Sequence, residues 1–356
     1  MMASPRARAD AFCERFGLRV PVLLAPMAGT SPVELSAAVA DAGGMGALGA
    51  LPMAPEHIAS WMREFRARSD GRCQVNLWIP DPAPTPDAPR EAAMRDFLSH
   101  WGPAVADDAG AVTLQDFIQQ CEAIIATRPD VMSSIMGVFP TEFVARARHA
   151  GIAWFACVTT LGEALAAESA GADAIVAQGF EAGGHRGAFD AANAERQGIG
   201  LFALLPRIAD RVRVPVIAAG GIADGRGIAA ALALGASAVQ IGTGFLRCPE
   251  AGIAAGWADA LAASEPEDTW PTRAFSGRLG RSLATVYVRA AAADGAPRAA
   301  AYPVQRGLTA AMRQQATQTG DVSRMQAWAG QSAWMAPAAP ASECVARWWN
   351  EAVSLL

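Results

Sequence analysis

Lysine is absent from all 356 residues, so every basic side chain is an arginine. That excludes Schiff-base catalysis by lysine and a Walker-type phosphate lysine. The arginines are scattered, the formal net charge is -5, and no basic run marks a nucleic-acid surface. No apolar stretch reaches the roughly 18 to 20 residues of a membrane span, and the opening Met1-Met2-Ala3-Ser4-Pro5-Arg6 leads into no signal-peptide core. A soluble cytoplasmic protein is expected, with neither nucleic acid nor membrane as partner. Tyrosine occurs only as Tyr287 and Tyr302, and there are four histidines. The six cysteines (Cys13, Cys73, Cys121, Cys157, Cys248 and Cys344) never fall as C-x-x-C, which favours reduced, buried thiols over disulfides or a zinc site.

What is plentiful is a strand-helix unit. Val20–Ala25 reads as a buried strand, followed by a helix with Ser31 as its cap, Pro32 in the first position and Glu34 completing a capping box. Leu35, Ala38, Val39 and Ala42 then fall on one face. Helices stop at Ala42-Gly43, Ala150-Gly151, Ala170-Gly171 and Leu234-Gly235, each followed shortly by an apolar strand. Counting Val20–Ala25 and Met45–Ala50, then Gln74–Ile79, Ser134–Val138, Ala153–Val158, Ala174–Ala177, Val214–Ala219 and Ala238–Ile241, eight strands are expected. Thr160 with Glu163, and Asp224, supply further helix starts. Eight such units in about 250 residues predict a (β/α)8 TIM barrel, with a doubly wound open sheet as the other arrangement.

The expected organisation is a barrel over 1–248 with a mostly helical insertion at about 81–130. A segment at 249–304 covers the carboxyl-terminal mouth, and helices over 305–356 pack back on the barrel or on a subunit partner. The protein is expected to be a monomer or a homodimer.

Chemistry concentrates in Gln178-Gly-Phe-Glu-Ala-Gly-Gly-His-Arg-Gly187. Four glycines in ten residues permit a tight turn and close approach of backbone to ligand, and they frame His185, which can exchange a proton. The loops Ala219–Asp224 and Gln240–Gly244 follow the seventh and eighth strands, where barrels commonly hold phosphate. The amides of Asn76 and Gln178 suit the edges of a flat heterocycle. Together these features point to a phosphorylated ring cofactor, with FMN the natural candidate.

Ala25-Pro26-Met27-Ala28-Gly29, the His185 loop, Val216–Arg226, Gln240–Thr243 and Ala301-Tyr302-Pro303-Val304-Gln305 together resemble class I nitronate monooxygenases, formerly 2-nitropropane dioxygenases. The resemblance runs from about residue 20 to past 330. It implies oxidation of alkyl nitronates, propionate 3-nitronate foremost, by O2 through a flavin semiquinone, giving a carbonyl compound and nitrite without a metal. By matching motif, His185 would be the catalytic base. Met27, Asn76, Gln178, Gly183, Gly220, Gly221, Gln240, Ile241, Gly242 and Thr243 would hold FMN. Tyr302 and Arg186 are candidate substrate contacts, and arginines over 273–278 could attract a carboxylate. Two alternatives share the cofactor: an NAD(P)H:quinone or enoyl-[acyl-carrier-protein] reductase, and a non-catalytic flavin-binding protein. The chain departs from the family pattern in having few tyrosines and no lysine in its closing segment.

Overall fold

The computed structural model describes residues 4–356. Its strands, in chain order, are β1 (Val22–Leu24), β2 (Met45–Gly49), β3 (Arg72–Trp78), β4 (Val131–Ile135), β5 (Ala153–Val158) and β6 (Ala174–Gln178). The two-residue β7 (Gly184–His185) follows, then β8 (Val216–Ala219) and β9 (Ala238–Ile241). All but β7 close into a parallel barrel in the order β1-β2-β3-β4-β5-β6-β8-β9, with Leu23 opposite both Met45 and Gln240.

The two-residue period of a strand sorts its side chains. Leu23, Met45, Val131, Phe155, Val176, Ile217 and Ala238 share one cluster inside the barrel. Their neighbours Val22, Leu24, Met132, Trp154, Ala156, Val216 and Val239 join the larger core beneath the surrounding helices. An eight-stranded barrel has an interior that such side chains fill. One end is closed by the helix Pro5–Phe16, whose Phe12 and Phe16 rings lie 6.1 and 4.9 Å from that of Phe155.

The helix-ending glycines behave as their placement suggests: Gly43, Gly151, Gly171 and Gly235 have φ of 99°, 80°, 100° and 113°. Asp224 caps the helix Gly225–Ala233 by accepting from Gly227 N–H. Ser31 does not act as a cap. The helix is Val33–Asp41 with Pro32 at its N-cap, and Ser31 Oγ instead accepts from Met27 N–H at 2.8 Å and donates to the Ala25 carbonyl. Thr160 does cap Leu161–Ser169, but the Glu163 carboxylate reaches past it to Thr159 and to Phe189 N–H.

The fourth strand begins at Val131 rather than Ser134. Ser133 interrupts the apolar run before it; both Ser133 and Ser134 are buried, and Ser134 Oγ accepts from Trp154 Nε1 at 3.0 Å. Met136, at φ 70°, turns the chain where the strand was expected to continue.

A second layer lies beyond the barrel. Strands β10 (Thr269–Thr272) and β11 (Gly280–Leu283) pair antiparallel, and β11 pairs in turn with β7, placing Gly280 opposite His185. The helix Ala88–Leu98 packs Met94 and Leu98 against Phe275, Tyr287 and Met312. The helix Phe117–Thr127 instead lays Cys121 and Ile124 on the barrel's own core, leaving Ile118 57% exposed. The helix Ala341–Leu355 buries Cys344, Val345, Trp348 and Trp349 in that core, with Val353 exposed. Among the described residues, no helix is long and apolar enough to cross a membrane.

Candidate active site

The carboxyl ends of the strands open into a cavity of about 540 Å³, within the range of small-molecule sites. His185 reaches it from β7, so the small antiparallel sheet fixes the histidine through its backbone. The ring stands edge-on between Trp78 and Trp328, with centroids 4.7 and 4.8 Å away. Its Nε2 is 2.8 Å from Ser276 Oγ. When that hydroxyl donates to the Arg278 carbonyl, 3.3 Å away, it accepts from His185 Nε2–H and leaves Nδ1 as the basic atom.

Enclosure by protein pushes the His185 pKa down to about 3, and Arg306, Arg278 and Arg313 add to the effect. The ring itself is half-buried on the cavity wall. At neutral pH the imidazole is uncharged. The Cys157 thiol also lines the cavity, and burial pushes it up to about 12, so it is no thiolate nucleophile. Among the described residues, no group of three or more His, Cys, Asp or Glu could hold a metal.

Met27, Asn76, Gln178 and Gly183 line the cavity, as do Gly220, Gly221, Gln240, Gly242, Thr243 and Tyr302. Asn76 donates through Nδ2 to Ser133 Oγ at 3.1 Å, which leaves Oδ1 for the cavity. Gln240 Oε1 accepts from Gln74 across the barrel, which leaves its Nε2 protons free. Gln178 is committed differently: Nε2 donates to the His185 carbonyl and Oε1 accepts from Gly187 N–H, at 3.0 and 2.8 Å. It clamps both sides of the histidine loop.

The glycines make the walls thin. A Cβ at Gly183 would fall 2.5 Å from Gly330 N, and one at Gly220 would fall 3.0 Å from Ala182 N. The start of the helix Gly225–Ala233 is less open than its sequence suggests, since Gly225 N–H already meets Glu351 and Gly227 N–H meets Asp224. An anion at this rim would therefore rest on the glycine loops themselves.

Ile241 and Arg186 stand apart from the cavity lining. Ile241 packs into the helix-side core. Arg186 is buried behind the loop, where it donates to the carbonyls of Gln178, Thr159 and Gln197 and lies over the Phe180 ring. Arg273 and Arg278 are also engaged, with Glu195 and Asp81 respectively. Sequence reasoning missed Trp78, Ser276, Arg306, Arg313 and Trp328, all of which line the cavity. Of these only Arg306 carried a local signal, one helical turn beyond Tyr302.

A family model described as nitronate monooxygenase matches residues 11–351. The chain belongs to the nitronate monooxygenase family. A nitronate monooxygenase of Paraburkholderia phytofirmans is 39% identical over 337 residues, spanning 93% of this chain and 92% of its own. The nitroalkane oxidase of Streptomyces ansochromogenes superposes with a TM-score of 0.88 at 35% identity, covering 95% of this chain and 96% of its own. FabK from Thermotoga maritima superposes less closely, with a TM-score of 0.76 at 26% identity over 97% and 96% of the two chains. Membership makes the chain an oxidoreductase on a (β/α)8 barrel.

Proposed function

We propose that the protein is an FMN-dependent nitronate monooxygenase that oxidises alkyl nitronates, propionate 3-nitronate among them, with O2 to a carbonyl compound and nitrite. The observation that carries this reading is the joint position of an uncharged His185 and two glycine loops on one cavity. The cofactor assignment is supported by the free amide groups of Asn76 and Gln240 and by the rim glycines Gly183 and Gly220, which pack against Gly330 and Ala182 too closely for a side chain and so leave bare backbone at the cavity. Asn76, Gln240, Met27 and Gly183 would hold the ring system, and Gly220, Gly221, Gly242 and Thr243 the phosphate. When bound, FMN supplies the electron-accepting centre that this chain's own side chains lack.

The remaining tasks fall to the protein. Trp78, Trp328 and Tyr302 narrow the cavity and exclude water from the reacting carbon. The Trp78 ring lies 5.4 Å from that of Tyr302, and the side-chain partner of the Tyr302 hydroxyl is the Arg306 guanidinium, which can only donate, so the phenol proton is free for a nitro oxygen. Taking a proton from a neutral nitroalkane would place a cation on His185 beside three guanidiniums, whereas a preformed nitronate brings a negative charge to the same place. The charge balance therefore favours the nitronate as substrate. With a nitroalkane, proton transfer to His185 Nδ1 is the demanding step.

The test runs two assays on the purified yellow protein. Oxygen uptake and nitrite release from propionate 3-nitronate, without NADH, support the proposal. NADH oxidation with a quinone or an enoyl thioester, alongside an inert nitronate, would reject it in favour of a reductase.

A further inference from the structure

Gln74 and Asn76 lie on the same face of β3, since side chains two apart on a strand point the same way. Asn76 reaches the cavity, and Gln74 lies one layer below it, fully buried inside the barrel. Its amide nitrogen stands 3.1 Å from the Leu24 carbonyl and 3.1 Å from Gln240 Oε1. A backbone carbonyl only accepts, so it fixes which end of the Gln74 amide is the NH2. Gln74 in turn fixes Gln240. The Gln240 atom that meets this N–H is its carbonyl oxygen, so the end left for the cavity it lines is the NH2.

The arrangement leaves one group unpaired. Gln74 Oε1 is buried without a hydrogen-bond partner among the described residues, although a buried amide oxygen normally finds a donor. Turning the Gln74 amide over would set Oε1 against the Leu24 carbonyl, oxygen facing oxygen, so the orientation is held in spite of it. Gln74 does not line the cavity and touches nothing bound there. Its one outward effect is on Gln240, across the barrel on β9. A fixed donor beside a redox-active ring is not neutral. The acceptor atoms at the ring's edge gain electron density on reduction, so an N–H there stabilises the reduced form more than the oxidised one. A carbonyl in the same place would do the reverse.

We propose that Gln74 is a positioning residue that holds the Gln240 NH2 toward the bound flavin and thereby raises the flavin's reduction potential. It acts through Gln240 and meets neither cofactor nor substrate. The inference rests on the FMN reading of the cavity, and it is independent of which substrate is oxidised.

The experiment measures the two-electron midpoint potential of the flavin in anaerobic holoenzyme against a reference dye. The proteins are wild type, Gln74→Met, Gln74→Leu, Gln240→Met and the double variant Gln74→Met/Gln240→Met. Methionine is of similar length to glutamine and donates no hydrogen bond, and leucine is the second variant should methionine pack badly. Without the Gln74 donor, Gln240 Oε1 becomes an unpaired buried acceptor. Turning the Gln240 amide over removes it and aims N–H at the Leu24 carbonyl, and the cavity then meets a carbonyl. Urea midpoints and flavin absorbance per chain establish that each variant is folded and loaded. Gln74→Met should lower the preference for reduced over oxidised FMN by at least about fivefold. At about 30 mV per tenfold for a two-electron couple, that is a drop of about 21 mV. Gln240→Met should lower the potential as well, and adding Gln74→Met to it should change the preference by less than about twofold, because the path through Gln240 is gone. A preference in loaded Gln74→Met and Gln74→Leu within about twofold of wild type would overturn the inference, as would a shift of full size in the Gln240→Met background. Wild type that neither carries FMN nor takes it up on titration would reject the cofactor reading and the inference together. A potential that depends on Gln74 in a protein inert to nitronates would uphold the inference and reject only the reaction.

Discussion

Gly183 and Gly184 are adjacent, but replacing each with alanine should fail for different reasons. A Cβ at Gly183 would sit 2.5 Å from Gly330 N, 2.7 Å from the Ala329 carbonyl carbon and 2.8 Å from Thr243 Oγ1, all inside the 3.0 Å that real Cβ contacts respect. Two of these neighbours are backbone, and the third holds Gly330 N–H by a 3.0 Å hydrogen bond. Relief requires the segment 329–330 to back away from the loop after β9. Overpacking costs about 1–3 kcal/mol, and weakening the hydrogen bond adds roughly 1 kcal/mol. Gly184→Ala meets nothing within 4 Å, but it must hold φ at 73°, a penalty of about 1–2 kcal/mol. Urea unfolding gives the stabilities, and flavin absorbance per chain gives the cofactor content. Gly183→Ala should be the less stable of the two and should lose flavin, while Gly184→Ala should keep it. Equal stability and full flavin in both would refute the close-packing account of the cradle.

Four further outcomes are expected. His185→Asn should lower kcat/KM for nitroethane by at least about a hundredfold and should affect a preformed nitronate much less, which parallel oxygen-uptake assays would show. Because the folded pKa of His185 is about 3, below the unfolded value near 6.5, the unfolded chain binds the extra proton between those values. The stability owed to this group is therefore complete above pH 6.5 and declines as pH falls through that window, so urea midpoints should drop with acid less steeply in His185→Asn. Over the same range, kcat/KM for a preformed nitronate should show no limb near pH 6.5. Trp348→Ala, which empties a buried site where the carboxyl-terminal helix meets the ring of Phe245 5.0 Å away, should cost about 3–5 kcal/mol in denaturant unfolding.

The barrel was legible because its signals are local and repeated. A glycine ending each helix and an apolar run after it carry the same meaning wherever they occur, and seven of the eight barrel strands lie within or beside the expected runs. The fourth was placed three residues late: buried Ser133 read as polar and ended the run before Val131 and Met132, and only its partner Asn76, on the neighbouring strand, explains it. Strand β7 has two residues, too few for any periodicity to register, yet its pairing with Gly280 and Arg281 fixes His185. Arg186 stood beside His185 in sequence and was expected to share its cavity. On a strand, neighbouring side chains face opposite ways, and past β7 the arginine turns inward to three carbonyls. Arg306 and Arg313 were invisible for the opposite reason: they lie more than a hundred residues from His185, and only the packing of the cover over the barrel brings them to its cavity. What the sequence could not convey was which arginines find acidic partners.

The measurement closest to the central claim is anaerobic mixing of a preformed nitronate with the purified protein in a stopped-flow spectrophotometer, with no nicotinamide present. The account predicts that the nitronate alone changes the flavin absorbance at least as fast as turnover, and that admitting O2 restores it with nitrite released. A flavin spectrum that nitronate leaves untouched and NADH bleaches would contradict it.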